Sequence, residues 1–151
     1  MSKKQVMNKN EVAIVGGAGF VGSRLTARFR KGNIFSNKYD IDLSNHLDKS
    51  IYLDVEDVDS LDQLAGVSTI INLAAVHRDD VRPLSRYDDV NVQGAKNVCE
   101  SASKHGINKI IFTSSVAIYG FAPPDTDESG EPSYFNDYGR TKYLAEQVYK
   151  E

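Results

Sequence analysis

The chain has 151 residues, of which 40% are hydrophobic and 26% are charged, and its formal net charge at pH 7 is -3. This composition is typical of one globular domain with a sizeable core and not of a disordered chain. The acidic balance argues against a general binder of nucleic acids or anionic membranes, and no apolar run has the length of a membrane span.

Residues 1–10 form a polar leader without the apolar segment of a signal peptide, and residues 11–151 form the predicted domain. The chain contains one cysteine, Cys99, which rules out an internal disulfide and is consistent with a reducing compartment. Both features predict a cytoplasmic protein. Cys99 lies at helical spacing from Ala95 and Ala102, which predicts that it packs in the core.

Short apolar segments alternate with helical patterns from residue 11 onward. The apolar run at 12–15 ends on glycine, as buried parallel strands do, and the pattern over 19–30 predicts a helix. Two more strands are predicted at 38–41 and 51–55. A short helix or turn follows over 57–64.

The second half of the chain continues this alternation. Strands are predicted at 69–75 and 109–113, and a long helix over 84–105, closed by Gly106, lies between them. A loop with three prolines and four acidic residues then covers 121–132.

A last helix begins near Phe135 and continues to residue 151 without a glycine, proline or cap to end it. We therefore expect the chain to be truncated before a C-terminal substrate-binding part. Strands that alternate with helices predict an α/β fold, a Rossmann-type, doubly wound parallel sheet with right-handed crossovers.

The turn between the first strand and the first helix is rich in glycine. Gly17, Gly19 and Gly22 fit the spacing G-x-G-x-x-G, and Gly16, Gly19 and Gly22 fit G-x-x-G-x-x-G. Either spacing gives a tight turn and a close approach of the backbone to a pyrophosphate at the helix N-terminus. No Lys-Ser or Lys-Thr follows, which disfavours a P-loop. The alternative is a turn whose glycines serve packing alone.

Dinucleotide-binding folds place an acidic residue about 20 residues after the glycines, at the end of the second strand. Asp40 and Asp42 both lie near this distance, and either carboxylate could accept hydrogen bonds from both ribose hydroxyls. No arginine or lysine occurs in 41–45 to bind a 2'-phosphate, so NAD is favoured over NADP. For each aspartate, a solvated strand end is the alternative.

Three residues near the end of the chain indicate chemistry. Tyr138 and Lys142 are four residues apart in a predicted helix, so both side chains leave from the same face. A lysine cation beside a phenol favours the phenolate, which lets Tyr138 exchange a proton with a substrate hydroxyl or carbonyl near neutral pH. The hydroxyl of Ser115 can hold the same oxygen, and Ser114 offers a neighbouring hydroxyl.

These features together resemble the extended short-chain dehydrogenase/reductase family, the group of NAD-dependent sugar-nucleotide epimerases and dehydratases, and in it the UDP-sugar 4-epimerases. The resemblance covers nearly the whole chain in the order and spacing of the family. The matching segments are 16–22, 53–55, 72–75, 91–94, 113–120 and 138–142. It implies NAD as the cofactor, Ser115 and Tyr138 as catalytic residues, and Lys142 as a catalytic residue that also binds the nicotinamide ribose.

The resemblance also implies the contacts to the cofactor. Asp54 would accept a hydrogen bond from the adenine amino group, Val55 would pack near the ring, and Asn91 would hold the central helix near the site. Small side chains would line the cofactor where the backbone runs against it. The predicted cofactor-binding residues are Gly16, Gly19, Phe20, Val21, Gly22, Asp40, Asp42, Asp54, Val55, Leu73, Ala74, Ala75, Asn91, Tyr138 and Lys142.

The chain departs from the dehydratases of this family directly after Ser115. Val116 and Ala117 stand where the 4,6-dehydratases have an Asp-Glu pair, so elimination of water has no evident catalyst. Decarboxylating relatives usually keep this glutamate, so Ala117 also argues against a decarboxylase. The resemblance then implies a nucleotide-sugar 4-epimerase that oxidises the sugar transiently. A keto-sugar reductase or dehydrogenase and a non-catalytic NAD-binding module are the alternatives.

The remaining predictions concern partners. His77 and Arg78 follow the fourth strand and either face a substrate phosphate or sugar or are ordinary loop residues. His46, His77 and His105 are widely spaced, which predicts no metal site. Relatives pair through two late helices, which implies a homodimer through 84–105 and 135–151. We expect the truncated chain alone to bind the cofactor at best. The small residues expected to admit the second helix are Gly94, Ala95, Ser101 and Ala102.

Overall fold

The structure is a computed structural model that describes residues 11–44 and 49–151. The predicted leader at 1–10 and His46 lie outside the described residues. Five strands form one parallel sheet in the order β3-β2-β1-β4-β5. The strands are β1 (Val12–Val15), β2 (Ser36–Asp40), β3 (Ile51–Tyr52), β4 (Thr69–Asn72) and β5 (Ile110–Phe112).

Helices connect these strands, which confirms the predicted doubly wound α/β architecture. The helical elements are α1 (Phe20–Lys31), a 3₁₀ turn (Ser60–Leu64), α2 (Ser85–Tyr87), a π-helical segment (Asp88–Gln93), α3 (Gly94–His105), a second 3₁₀ turn (Val116–Tyr119) and α4 (Asp137–Lys150). Gly106 closes α3 with a φ of 67°, a left-handed conformation that glycine adopts without strain.

Three strands are shorter than the sequence predicts: β5 lacks one residue at each end, and β3 and β4 each lack three at the C-terminal end. The chain leaves the sheet after Tyr52 and after Asn72, where strands were predicted to continue to residues 55 and 75. Leu53 still donates its N–H to the carbonyl of Asp40 on β2, and Leu73 donates to the carbonyl of Val15 on β1. The residues beyond them form loops at the C-terminal edge of the sheet. These loops line the cavity described below.

The core lies between the sheet and the helices that cover it. Ile14 and Ile70 on the central strands and Val98 on α3 are all fully buried. Val98 and Ala102 belong to one cluster with buried residues of the sheet, and Ala95 is buried as well, so this stripe of α3 faces the interior of its own chain. Cys99, which was predicted to pack in the core, is only half-buried, and its burial raises the pKa of its thiol.

The strand order places a cleft where the crossovers change sides. β1 pairs with β2 on one side and with β4 on the other, both in parallel register. In open α/β sheets this switch point, at the carboxyl ends of the strands, is where ligands bind. Over residues 11–44 and 49–151, no helix combines the length and the apolar character that crossing a membrane requires.

Candidate functional site

A cavity of about 570 Å³ lies at the C-terminal edge of the sheet. Every strand contributes residues at its end or just beyond it. The lining residues are Val15, Gly16, Gly19, Phe20, Val21, Gly22, Asp40, Ile41, Leu53, Asp54, Val55, Glu56, Leu73, Ala74, Ala75, Val76, His77, Arg86, Val90, Thr113, Ser114, Tyr138 and Lys142. Thirteen of the fifteen predicted cofactor-binding residues are in this set. Asp42 and Asn91 are not, and neither is Ser115.

Gly16 and Gly22 are required by the packing of the turn. Gly16 has a φ of 76°, and a Cβ there would lie 2.7 Å from the backbone nitrogen of Ala74. A Cβ on Gly22 would lie 2.6 Å from the Cα of Gly17. Both positions therefore exclude any side chain, and they bring the turn, α1 and the loop after β4 into direct contact.

Gly19 differs, because it faces the cavity. A Cβ there would meet only the carbonyl oxygen of Gly16, at 3.3 Å, and the residue is exposed. Gly19 is also the N-cap of α1 and makes no side-chain capping bond, so the first N–H groups of the helix have no side-chain acceptor there. This open helix N-terminus fits the pyrophosphate of a dinucleotide, whose charge the free N–H groups and the helix dipole favour.

Asp40, and not Asp42, lies at the end of β2 beside the glycine turn. Its Oδ2 accepts a hydrogen bond of 2.8 Å from the backbone N–H of Ala18, and its Oδ1 accepts one of 2.9 Å from the N–H of Asp42. Asp42 is exposed, and hydrogen bonds from Ser44 hold the pKa of its carboxyl below the usual range. The geometry therefore favours Asp40 of the two candidates for the ribose.

Tyr138 and Lys142 both line the cavity, as expected from their spacing on one face of α4. Asn136 caps this helix, and its Oδ1 accepts a hydrogen bond of 2.8 Å from the N–H of Gly139. The Lys142 side chain is 3% exposed, and its Nζ lies 3.9 Å from the centroid of the Phe112 ring.

Burial lowers the pKa of Lys142 to about 8, although the charge of Glu146 acts in the opposite direction. The folded protein therefore disfavours the charged form of Lys142 relative to the unfolded chain. This group reduces the free energy of unfolding below pH 8. That cost disappears as the pH rises from about 8 to the ordinary lysine pKa of 10.5.

Ser115 lies next to the cavity and caps the second 3₁₀ turn. Its Oγ accepts a hydrogen bond of 3.1 Å from the N–H of Ala117, so the hydroxyl proton is free for another acceptor. Thr113 and Ser114 line the cavity directly. The predicted catalytic role of Ser115 stays a prediction.

Asn91 does not line the cavity but is hydrogen-bonded to two elements of its wall. Its Oδ1 accepts a bond of 2.8 Å from the N–H of Val76, and its Nδ2 donates to the Val76 carbonyl at 3.0 Å. The same Nδ2 donates to Oγ1 of Thr141 at 2.9 Å. Asn91 thus ties the loop after β4 to α4, between Tyr138 and Lys142, and it is 4% exposed.

Two charged residues of the wall were not predicted as site residues. Arg86 and Glu56 form a bidentate ion pair, in which Nη2 donates to Oε2 at 2.7 Å and Nη1 donates to Oε1. The pair joins α2 to the loop after β3 beside Asp54. No sequence pattern connects two residues this far apart, although Glu56 directly follows the Asp54-Val55 segment that was singled out.

The histidines and Arg78 have separate positions. His77 lines the cavity, whereas Arg78 is exposed and forms an ion pair of 2.9 Å with Asp80. His105 lies 3.1 Å from a carboxylate oxygen of Asp62, away from the cavity. Within residues 11–44 and 49–151, no group of three or more His, Cys, Asp or Glu side chains is arranged to hold a metal ion.

Comparison with known proteins identifies the family. The profile of the NAD dependent epimerase/dehydratase family matches residues 12–151. The chain is 45% identical to the N-acetyl-alpha-D-glucosaminyl-diphospho-ditrans,octacis-undecaprenol 4-epimerase of Escherichia coli O157:H7, over 96% of this chain and 44% of that protein. It is 30% identical to a UDP-glucose 4-epimerase of Rhizobium meliloti, over 96% of this chain and 48% of that protein.

Solved structures of related proteins have a similar fold. The UDP-glucose 4-epimerase of Brucella ovis in complex with NAD superposes with a TM-score of 0.80 at 28% identity, over 92% of this chain and 46% of that one. MoeE5 in complex with UDP-glucuronic acid and NAD gives a TM-score of 0.83 at 26% identity, over 92% of this chain and 48% of that one. The chain spans about half the length of the relatives that it matches. It belongs to the NAD-dependent epimerase/dehydratase family, and the predicted family and the NAD cofactor are confirmed.

Proposed function

We propose that the protein containing this chain is an NAD-dependent 4-epimerase of a sugar that is linked through a diphosphate. The observation that carries the proposal is that the pair Tyr138 and Lys142 lines the same cavity as Asp40 and the uncapped N-terminus of α1. The two sequence relatives described above, both 4-epimerases, support it. Because the chain spans about half of their length, the activity is proposed for the longer protein.

The cavity residues divide the work of binding NAD. Gly19 and the first N–H groups of α1 would bind the pyrophosphate, and Asp40 would accept hydrogen bonds from the adenosine ribose. Asp54 and Val55 would contact the adenine. Lys142 would donate to the nicotinamide ribose, which lies at the other end of the cavity by this assignment. NAD supplies the hydride acceptor when bound.

The proton chemistry belongs to Tyr138. Its phenolate oxygen would accept the proton of the sugar 4-hydroxyl and return it after the keto sugar has presented its other face. The Lys142 ammonium would favour the proton-accepting form by its positive charge. Ser115 would donate its free hydroxyl proton to the same sugar oxygen.

The relatives differ in the group that carries the sugar diphosphate. One name specifies a polyprenyl chain and the other a uridine nucleotide, and a sugar bonded to a diphosphate is common to both.

The test is to incubate the full-length protein, without added NADH, with N-acetylglucosamine on UDP and on a polyprenyl diphosphate. We expect the 4-epimer of at least one substrate by chromatography. Stoichiometric reduction of added NAD by either sugar would instead identify a dehydrogenase, and consumption of NADH in a separate assay with a 4-keto sugar bonded to a diphosphate would identify the keto-sugar reductase. No conversion of any sugar would favour the non-catalytic NAD-binding module.

We expect a preference for NAD over NADP that depends on Asp40. Changing Asp40→Asn removes the charge that ribose hydroxyls bind and that a 2'-phosphate would meet. NAD affinity should fall by about tenfold to a hundredfold, and the discrimination against NADP should narrow. Calorimetric titration of both cofactors measures the effect. Asp42→Asn is the matched control, since this carboxylate is exposed and should leave both affinities unchanged. Equal binding of NADP and NAD by the unmodified protein would contradict the assignment.

The homodimer remains a proposal with a narrower basis. Gly94, Ala95, Ser101 and Ala102 are all buried inside the chain, where Gly94 approaches Val55 and the Ser101 hydroxyl donates to the carbonyl of Leu61. These four small residues were expected to admit a second helix, but they are not accessible at the surface of the chain. Leu144 and Val148 on α4 stay half-buried and could still meet a second copy. Sedimentation velocity over a range of concentrations tests the dimer, and a monomer throughout would exclude it.

A further inference from the structure

The Lys142 ammonium is placed over an aromatic ring. Phe112 is the last residue of β5, and its ring centroid lies 3.9 Å from Nζ of Lys142. Tyr149 lies seven residues beyond Lys142, on the same face of α4. Its ring centroid is 4.7 Å from that of Phe112, at an interplanar angle of 36°. The Phe112 ring therefore contacts two side chains of the helix that carries Tyr138.

Asn72 connects this ring pair to the cavity wall. It is the last residue of β4 and is in register with Phe112 on β5. Its Nδ2 donates a hydrogen bond of 2.7 Å to the Tyr149 hydroxyl, and its Oδ1 accepts one of 3.1 Å from the N–H of Ala74. Ala74 lines the cavity. These three residues, Asn72, Phe112 and Tyr149, form what we call the aromatic platform. The platform joins α4 to the ends of β4 and β5.

A buried ammonium needs such a partner. Lys142 is 3% exposed, and the charged neighbour that favours its cation is Glu146, whose carboxylate also lies 3.7 Å from Nζ of Lys150. The same face of α4 also carries the phenols of Tyr138 and Tyr149, four residues before and seven residues after Lys142. Burial raises the pKa of the Tyr149 phenol, and the Cys99 thiol on α3 raises it further. The electron-rich face of an aromatic ring attracts a cation, and the attraction is strongest where water is excluded.

We propose that Phe112 is a positioning residue, whose ring face holds the Lys142 ammonium at the cavity wall, and that Tyr149 and Asn72 brace that ring. The proposal rests on the proposed function for its role in epimerisation. The contact itself can be tested without turnover. No residue of the aromatic platform lines the cavity, so changes at Phe112 and Tyr149 act on the cofactor and substrate through Lys142, whereas Asn72 also contacts the lining residue Ala74.

The sharpest test changes the ring electronically and not in shape. Phenylalanine analogues with increasing numbers of fluorine atoms are inserted at position 112 of the full-length protein, since fluorine weakens the attraction of the ring face for a cation. The pH midpoint of Lys142 acylation, followed by mass spectrometry of its peptide without cofactor, should fall stepwise by about one pH unit in total. A midpoint that does not depend on fluorination would overturn the proposal.

Further variants separate this effect from a general loss of structure. The same fluorinated series at Phe121, which is exposed and stacks on Phe135 at 4.8 Å, should leave the Lys142 midpoint unchanged. Tyr149→Phe keeps the ring but removes the partner of Asn72. Its midpoint should fall by less than that of the most fluorinated protein, and no change would refute the bracing role. If no sugar is epimerised while the midpoint still follows fluorination, the proposed function fails and the positioning role stands.

Discussion

Replacing Tyr138 by phenylalanine is expected to lower kcat of epimerisation by about 10²–10⁴-fold, the range that general acid–base catalysis contributes. The change removes one oxygen from the wall of the cavity and keeps the ring. Binding of NAD should change by less than about threefold, because the lost oxygen acts in proton transfer and not in uniform binding. Single-turnover assays together with NAD titration measure the two effects separately.

A second tyrosine on α4 provides the control. Tyr143 is half-buried, lies outside the cavity, and its ring centroid is 6.2 Å from that of Tyr134. Tyr143→Phe removes the same atom from the same helix and should leave kcat unchanged. Near-normal turnover in the Tyr138 variant would show that another group moves the proton.

The second large effect is expected at the glycine turn, where two glycines should respond in opposite ways. Gly19→Val should leave the fold intact, because a Cβ there meets only the Gly16 carbonyl at 3.3 Å. Its side chain would occupy the space above the α1 N-terminus and lower NAD affinity by about a hundredfold, or ~2.7 kcal/mol. Fluorescence titration with NAD and the melting temperature measure the two properties.

Gly22→Ala is expected to destabilise the fold itself. The new Cβ would lie 2.6 Å from Gly17 Cα and 2.7 Å from the Gly16 carbonyl oxygen, and both are backbone atoms that cannot rotate away. Overpacking of this kind costs about 1–3 kcal/mol or more, so the melting temperature should fall clearly. A Gly19 variant that binds NAD normally would mean that the cofactor does not approach this helix end.

Local patterns predicted the fold well because each element carries its own signal. The apolar run at β1, the helical spacing on α3 and the left-handed Gly106 are all readable within a few residues. The ends of β3 and β4 were not readable in this way. Their apolar residues continue past the strand ends into the cavity wall, where only Leu53 and Leu73 still donate a hydrogen bond to a neighbouring strand.

The candidate site was predictable where it follows from spacing and not where it follows from tertiary contacts. Distance along the chain could not separate Asp40 from Asp42, since the choice depends on which carboxylate meets the N–H of Ala18. The Glu56–Arg86 pair has no local signature at all. Helical periodicity identified the apolar face of α3 correctly, but it could not show that other parts of the same chain cover that face.

The π-helical segment sets the direction in which the side chains before α3 point. A π turn contains one residue more than an α turn, and each residue of an α-helix rotates the next by about 100°. Asp88–Gln93 therefore sets the phase of everything before it relative to α3. Arg86 meets Glu56, and Asp88 meets Arg140 at 2.6 Å, only in this phase. Deleting one residue here would preserve a continuous helix yet aim both side chains elsewhere, so the wall of the cavity is sensitive to chain length in a segment of which only Val90 lines the cavity.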